Sequence, residues 1–292
     1  MFFHLLKHAF LDTLTLLPFL LVTYLIMEAI EYRASNKTVH AIEKAGAAGP
    51  LIGSLIGVVP QCGFSAAAAT LWSGRVITVG TMIAVMLSTS DELLPIFIAE
   101  QAPLSQLLAI LGTKVAVAII AGFAVDLLLK ALRFAGDGRV HIHELCEREH
   151  CGCDDKHAGS WLGVVKSALI HTLQISLFIF ILTFLVGIAI EFVGEDALAE
   201  FMAGNPVLSV LASALVGLIP NCAASVVIAE LFLNGTIGSA ALLAGSLTSA
   251  GVGLLVLFRT NSRLGQNFLI VCALYVFGAI AGLIMLALGL SF

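Results

Sequence analysis

Two stretches of this chain read alike, and each is interrupted at its middle by a proline, a side-chain amide and a cysteine. The first runs Gly57-Val58-Val59-Pro60-Gln61-Cys62-Gly63-Phe64-Ser65, and the second runs Gly217-Leu218-Ile219-Pro220-Asn221-Cys222-Ala223-Ala224-Ser225, 160 positions later. The register holds beyond the breaks. Ala29-Ile30-Glu31-Tyr32 faces Ala189-Ile190-Glu191-Phe192, and Leu87-Ser88-Thr89-Ser90 faces Leu247-Thr248-Ser249-Ala250. Duplicated halves with interrupted apolar segments at matching places point to a secondary transporter whose site lies between the repeats.

Composition supplies the setting for that pattern. With 60% hydrophobic and 11% charged residues, 292 residues cannot hide their apolar surface in a water-soluble core. The reading is an all-α polytopic membrane protein with the lipid bilayer as its surroundings. A net charge of −5 gives no footprint for nucleic acid. The first apolar run shows no small-residue cleavage pattern and has a counterpart in the second half, so it reads as a retained span.

Eight apolar segments, roughly 9–32, 48–72, 76–98, 105–133, 163–193, 207–232, 236–258 and 265–290, are each long enough to cross. Four fall in each half, yet matching loops differ in charge. Arg33, Lys37 and Lys44 follow the first segment, whereas Glu195, Asp196 and Glu200 follow the fifth; Glu100 precedes the fourth, whereas Arg259 and Arg263 precede the eighth. Because Lys and Arg in short loops mark the cytoplasmic side, the halves are expected to be inverted. Inversion needs an odd number of crossings per half. It follows if 48–72 dips in and returns at Pro60-Gln61-Cys62 as two short helices, since two full crossings in 25 residues would leave each at ~18 Å against a ~30 Å hydrocarbon core. Three short crossings per region, giving up to ten helices, are the alternative. The expected division is a first membrane repeat over 1–133, a cytoplasmic linker over 134–160 and a second repeat over 161–292, with both termini outside.

The breaks carry the expected chemistry. Pro60 and Pro220 each remove a backbone donor and free an earlier carbonyl, which is tolerable at membrane depth only beside protein or a water-filled cavity. Gln61 and Asn221 with Cys62 and Cys222 would converge there as substrate ligands, although a proline kink beside an inert buried cysteine is the plainer account of either break alone. A second polar cluster follows in each half, Ser88-Thr89-Ser90-Asp91-Glu92 and Ser246-Leu247-Thr248-Ser249. Its hydroxyls can simply bond their own helix backbone. A carboxylate near the bilayer centre costs at least ~2.5 kcal/mol, so Asp91 and Glu92 should face a cavity, a cation or a proton path unless they sit at the membrane surface. Lys114, Asp126, Glu28 and Glu230 read as interfacial, helix-bundle or snorkelling residues rather than ligands.

Between the halves, His141, His143, Cys146, His150, Cys151, Cys153 and His157 bring four imidazoles and three thiols within 17 residues. These suit zinc or another borderline-soft ion, but their spacing matches no closed four-ligand zinc module. The segment reads as a metal-capturing or metal-sensing loop.

The paired Pro-polar-Cys segments, Ser88 to Glu92 and the His-Glu-Leu-Cys-Glu…His-Cys-x-Cys linker resemble the ten-span heavy-metal exporter family, also called manganese transporters or arsenic efflux proteins and distantly similar to the arsenical efflux permeases. The resemblance covers nearly the whole chain. It implies export of a metal or metalloid across a prokaryotic inner membrane, and carries over to Pro60, Gln61, Cys62, Ser88 to Glu92, Pro220, Asn221, Cys222 and the linker ligands. This chain departs from a symmetrical site, because Ala250 and Gly251, and no acidic pair, follow Ser249 in the second half.

The resulting expectation is an inverted-repeat permease, not an enzyme, that exports a heavy-metal cation or thiophilic metalloid by alternating access. No phosphate-binding loop is legible, so an ion gradient would drive it, most simply protons exchanged at Asp91 or Glu92. Metal binding is expected at Cys62, Cys222, Asp91, Glu92 and the linker, with the metal as cargo and no cofactor required. Gly- and Ala-rich spans allow close packing between chains as well as within one, so an oligomer stays open. A permease for an organic or sulfur-containing anion is the alternative, with half-helix N-termini facing the negative charge.

Overall fold

The computed structural model describes residues 48–59, 63–90, 93–131, 161–193 and 205–292, together with most of 6–25. The described residues of 6–25 are helical. After them come α1 (Gly49–Gly57), α2 (Gly63–Ser73), α3 (Val79–Ser88), α4 (Leu93–Ala99) and α5 (Leu104–Ala131). The second half supplies α6 (Trp161–Val193), α7 (Pro206–Gly217), α8 (Cys222–Leu233), α9 (Ser239–Thr248), α10 (Val252–Thr260) and α11 (Leu264–Ala287). From α1 to α5 the order of short and long helices is repeated by α7 to α11. No strand occurs among the described residues.

Helix boundaries follow local chemistry. Pro50 and Pro206 sit in the first turns of α1 and α7, where a missing N–H costs nothing. Asn205 and Thr78 cap α7 and α3 by accepting from Val207 N and Thr81 N. The apolar segments 48–72 and 207–232 each split into two helices of 9 to 12 residues, too short to span singly. Among the described residues, five stretches are long and apolar enough to cross: Val79–Ala99, Leu104–Ala131, Ala168–Leu185, Ser239–Thr260 and Leu264–Ala287. Two of these, Val79–Ala99 and Ser239–Thr260, are interrupted midway, after Ser88 and after Thr248.

Burial separates an inner layer from an outer one. Ser239–Thr260 is 89% buried, whereas Leu104–Ala131 and Leu264–Ala287 are each 33% buried. The outer helices present Leu108, Ile120, Leu127, Leu269 and Ile284, as lipid-facing helices must. Close approach between the layers rests on small residues. A Cβ at Gly80 would lie 2.1 Å from the Gly122 carbonyl oxygen, so α3 and α5 touch backbone to backbone.

Contact register gives the direction of each helix. Gly49, Gly53 and Gly57 of α1 lie against Thr81, Val85 and Ser88 of α3 in turn, so α1 and α3 run parallel. The turn after α2, with Arg75 at φ 60° and Val76 N bonded to Leu71 O, sends α2 the other way, so α1 and α2 form a hairpin. Gly80 meets Gly122 while Thr89 meets Lys114, so α5 opposes α3; Thr248 meets Gly278 while Ala244 meets Gly282, so α11 opposes α9. Across the repeats, Gly253 abuts Ser65 and Thr260 bonds Ser73, so α10 runs parallel to α2. Since α10 continues the span begun by α9, and α2 opposes α3, the broken spans of the two halves are antiparallel. The repeats are therefore inverted, as the loop charges suggested, and each re-entrant hairpin packs against the broken span of the other half.

Candidate functional site at the helix breaks

Four chain breaks face one another between the repeats. Each hairpin's incoming helix ends against the end of its own repeat's broken span: a Cβ at Gly57 would meet Ser88 Oγ at 2.1 Å, and one at Gly217 would meet Thr248 Oγ1 at 2.2 Å. Each outgoing helix begins against the far half of the other repeat's broken span, α2 on α10 at Ser65 and Gly253, α8 on α4 through Ser225 and Leu93. Helix ends thus cluster at the centre, and with them the orphan carbonyls and amides that helix termini leave.

Several expected ligands are placed at this centre. Ser88, Thr89 and Ser90 are buried, as are Thr248 and Ser249. Their hydroxyl protons go to their own backbone: Ser88 Oγ and Thr89 Oγ1 donate to Val85 O at 3.0 and 2.7 Å, Ser90 Oγ to Ser88 O at 3.1 Å, Thr248 Oγ1 and Ser249 Oγ to Gly245 O at 3.0 and 2.8 Å. Such bonds leave oxygen lone pairs free to ligate. Pro220 is half-buried in the second break, and the amide of Asn221, 8% exposed, donates to Thr183 O at 3.4 Å. Cys222 opens α8. Pro60, Gln61, Cys62, Asp91, Glu92 and the linker ligands His141, His143, Cys146, His150, Cys151, Cys153 and His157 lie outside the described residues, as do the side chain of Cys222 and residue Glu28.

Of the three readings open for Lys114, the structure selects the helix-bundle one: the side chain is 1% exposed, and Nζ donates to Thr89 O of the first repeat and, at 2.8 Å, to Ser246 O of the second. Its place near the middle of a long apolar helix was the available signal, because a lysine stem cannot reach water from there. A small cavity of ≈ 10 Å³, about one water's worth, lies beside it. Thr89, Ser90, Lys114, Ser225, Ser246 and Ser249 supply its polar wall. Ser246 belongs to the second polar cluster, whereas Ser225 and Thr183 are further polar residues that motif reading passed over. Thr183 is 6% exposed, and its hydroxyl has no hydrogen-bond partner among the described residues. Unlike Thr172 it does not return its proton to the helix backbone.

The remaining polar positions are structural or peripheral. Asp126 accepts from Thr78 Oγ1 at 2.7 Å and Gly80 N at 2.9 Å, completing the start of α3. Glu230 is exposed. Basic side chains gather at one end of the bundle, Arg75 after α2, Arg259 and Arg263 around the end of α10, and Lys130 one turn past Asp126. Glu100 and Glu230 stand at the other end, near the Phe97–Phe232 stack, whose ring centroids are 6.1 Å apart.

Comparison with known proteins returns one family, described as "Putative, 10TM heavy-metal exporter", whose model matches residues 1–171. No curated protein and no solved structure matches the chain.

Proposed function

The chain belongs to this ten-span heavy-metal exporter family, and we propose that it carries a heavy-metal ion or metalloid out of the cell by alternating access around the centre between its inverted repeats. The observation that supports this best is the polar cavity at the meeting point of the two broken spans, walled by Thr89 and Ser90 from one repeat and Ser225, Ser246 and Ser249 from the other. A site shared by opposed repeats changes its accessible side when one repeat rocks against the other. Cys62 and Cys222 would bind the cargo as thiolates, Gln61, Asn221 and the hydroxyls at 88–90 and 248–249 would complete its shell, and the His/Cys linker would deliver or sense the metal. Protons moving through Asp91 or Glu92 would drive the cycle.

Sidedness follows from charge. The end bearing Arg75, Lys130, Arg259 and Arg263 would face the cytoplasm of a prokaryotic cell, with the linker, and the end bearing Glu100 and Glu230 the outside.

Metal flux into proteoliposomes under an imposed proton gradient tests the proposal, with manganese, zinc, cadmium and trivalent arsenicals compared. One species should move, and the Cys62→Ala/Cys222→Ala variant should lose that movement by at least tenfold while still inserting. Undiminished flux in the variant removes the thiols from the mechanism. One observation favours a second reading, an anionic cargo: α2, α8 and α10 all start at the centre and direct their N-terminal ends toward it, beside the Lys114 charge. Counterflow by organic or sulfur-containing anions, with no metal moved, would establish that alternative.

A further inference from the structure

Among the described residues, Lys114 donates to two carbonyls at the ends of interrupted helices. Thr89 is the C-cap of α3. In the last turn of α9, Ser249 N still bonds Gly245 O, but the next amide, Ala250 N, turns to Thr248 O, so Ser246 O loses its helical partner. Half-helix C-termini at membrane depth carry partial negative charge and are where transporters of this architecture hold small coupling cations. Here a side chain supplies the positive charge instead. At the matching place in the second repeat, Leu274 is fully buried, so this ammonium has no twin.

We propose that Lys114 is a resident cation: its tethered ammonium fills a carbonyl-lined cation position between the repeats, so the carrier needs no inorganic co-ion there. It is a positioning residue that joins the end of one broken span to the end of the other and sets how the two move together. Its consequence for flux rests on the transporter reading above, but occupancy of the position does not.

The test is thermal unfolding of the full chain in detergent, in sodium, potassium or choline chloride at equal ionic strength. Lys114→Met keeps the stem and removes the charge. Sodium or potassium at 100-fold its dissociation constant should then raise the melting temperature of the variant by at least about 3 °C over choline. Wild type and Lys114→Arg should show no such difference. Equal melting of Lys114→Met in all three salts overturns the proposal, as does an equal shift in wild type. If the variant can be recovered only in sodium or potassium, the proposal stands; if in none of the salts, Lys114→Gln is measured the same way, and its indifference to the salt, or its own failure to be recovered, overturns it. In proteoliposomes, replacing sodium by choline should leave wild-type metal flux unchanged and lower that of Lys114→Met several-fold. Should wild type move no metal, the transporter reading fails while the melting comparison still decides the role of Lys114.

Discussion

The two repeats agree in backbone and differ at their centres. Both bring a glycine, Gly57 or Gly217, to within contact of a hydroxyl and a carbonyl on their broken span. The first repeat adds polar chemistry that the second lacks, with Lys114 where the second has Leu274, and Asp91-Glu92 where the second has Gly251, at φ 50°, after Ala250. The start of the broken span differs too. α3 is capped by Thr78 and braced by Asp126, whereas α9 has no side-chain cap at Gly238. Duplication thus supplies a symmetric frame, and single substitutions within it make the site one-sided.

The frame itself gives the largest expected effect. Gly217→Ala would press a methyl against the Gly245 carbonyl oxygen at 2.3 Å, and Gly57→Ala against the Val85 carbonyl oxygen at 2.6 Å. Overpacking against backbone costs about 1–3 kcal/mol. Both variants should melt lower than wild type in detergent, Gly217→Ala by more; the reverse order would show that the halves do not share one packing rule. Asp126→Asn probes the asymmetric brace. Losing a charged acceptor from Thr78 and Gly80 should cost about 1–2 kcal/mol, seen as faster amide exchange at the start of α3 with α9 unchanged. The smallest effect belongs to Ser73→Ala, which removes the 2.7 Å hydroxyl pair with Thr260 between α2 and α10. About 0.5–1 kcal/mol of stability should go. A larger loss would mean that this contact, rather than the helix packing around Gly253, holds the two repeats together at that end.

Much of this was legible from residues alone. The 160-residue register gave the two halves, and the reversal of loop charge gave their inversion, because lysine and arginine resist crossing a membrane. The hairpin over 48–72 was legible from length, since neither half of that segment can reach across. The polar clusters at 88–90 and 246–249 were legible as motifs, but not that they share one cavity with Ser225. For Lys114 the depth along its apolar segment spoke against snorkelling, but nothing local to it named the two carbonyls it bonds.

The sequence by itself determined the membrane setting, the duplication, the opposed repeats and the places where helices must break, since each depends on local composition or on charge along the chain. Only the tertiary structure decided which breaks meet. It set α2 on α10 and α8 on α4, and laid a lysine from α5 across two carbonyls 157 residues apart, at Thr89 and Ser246. Those pairings arise from packing between segments distant in sequence, where the free energy lies in excluded lipid and satisfied carbonyls rather than in any local pattern.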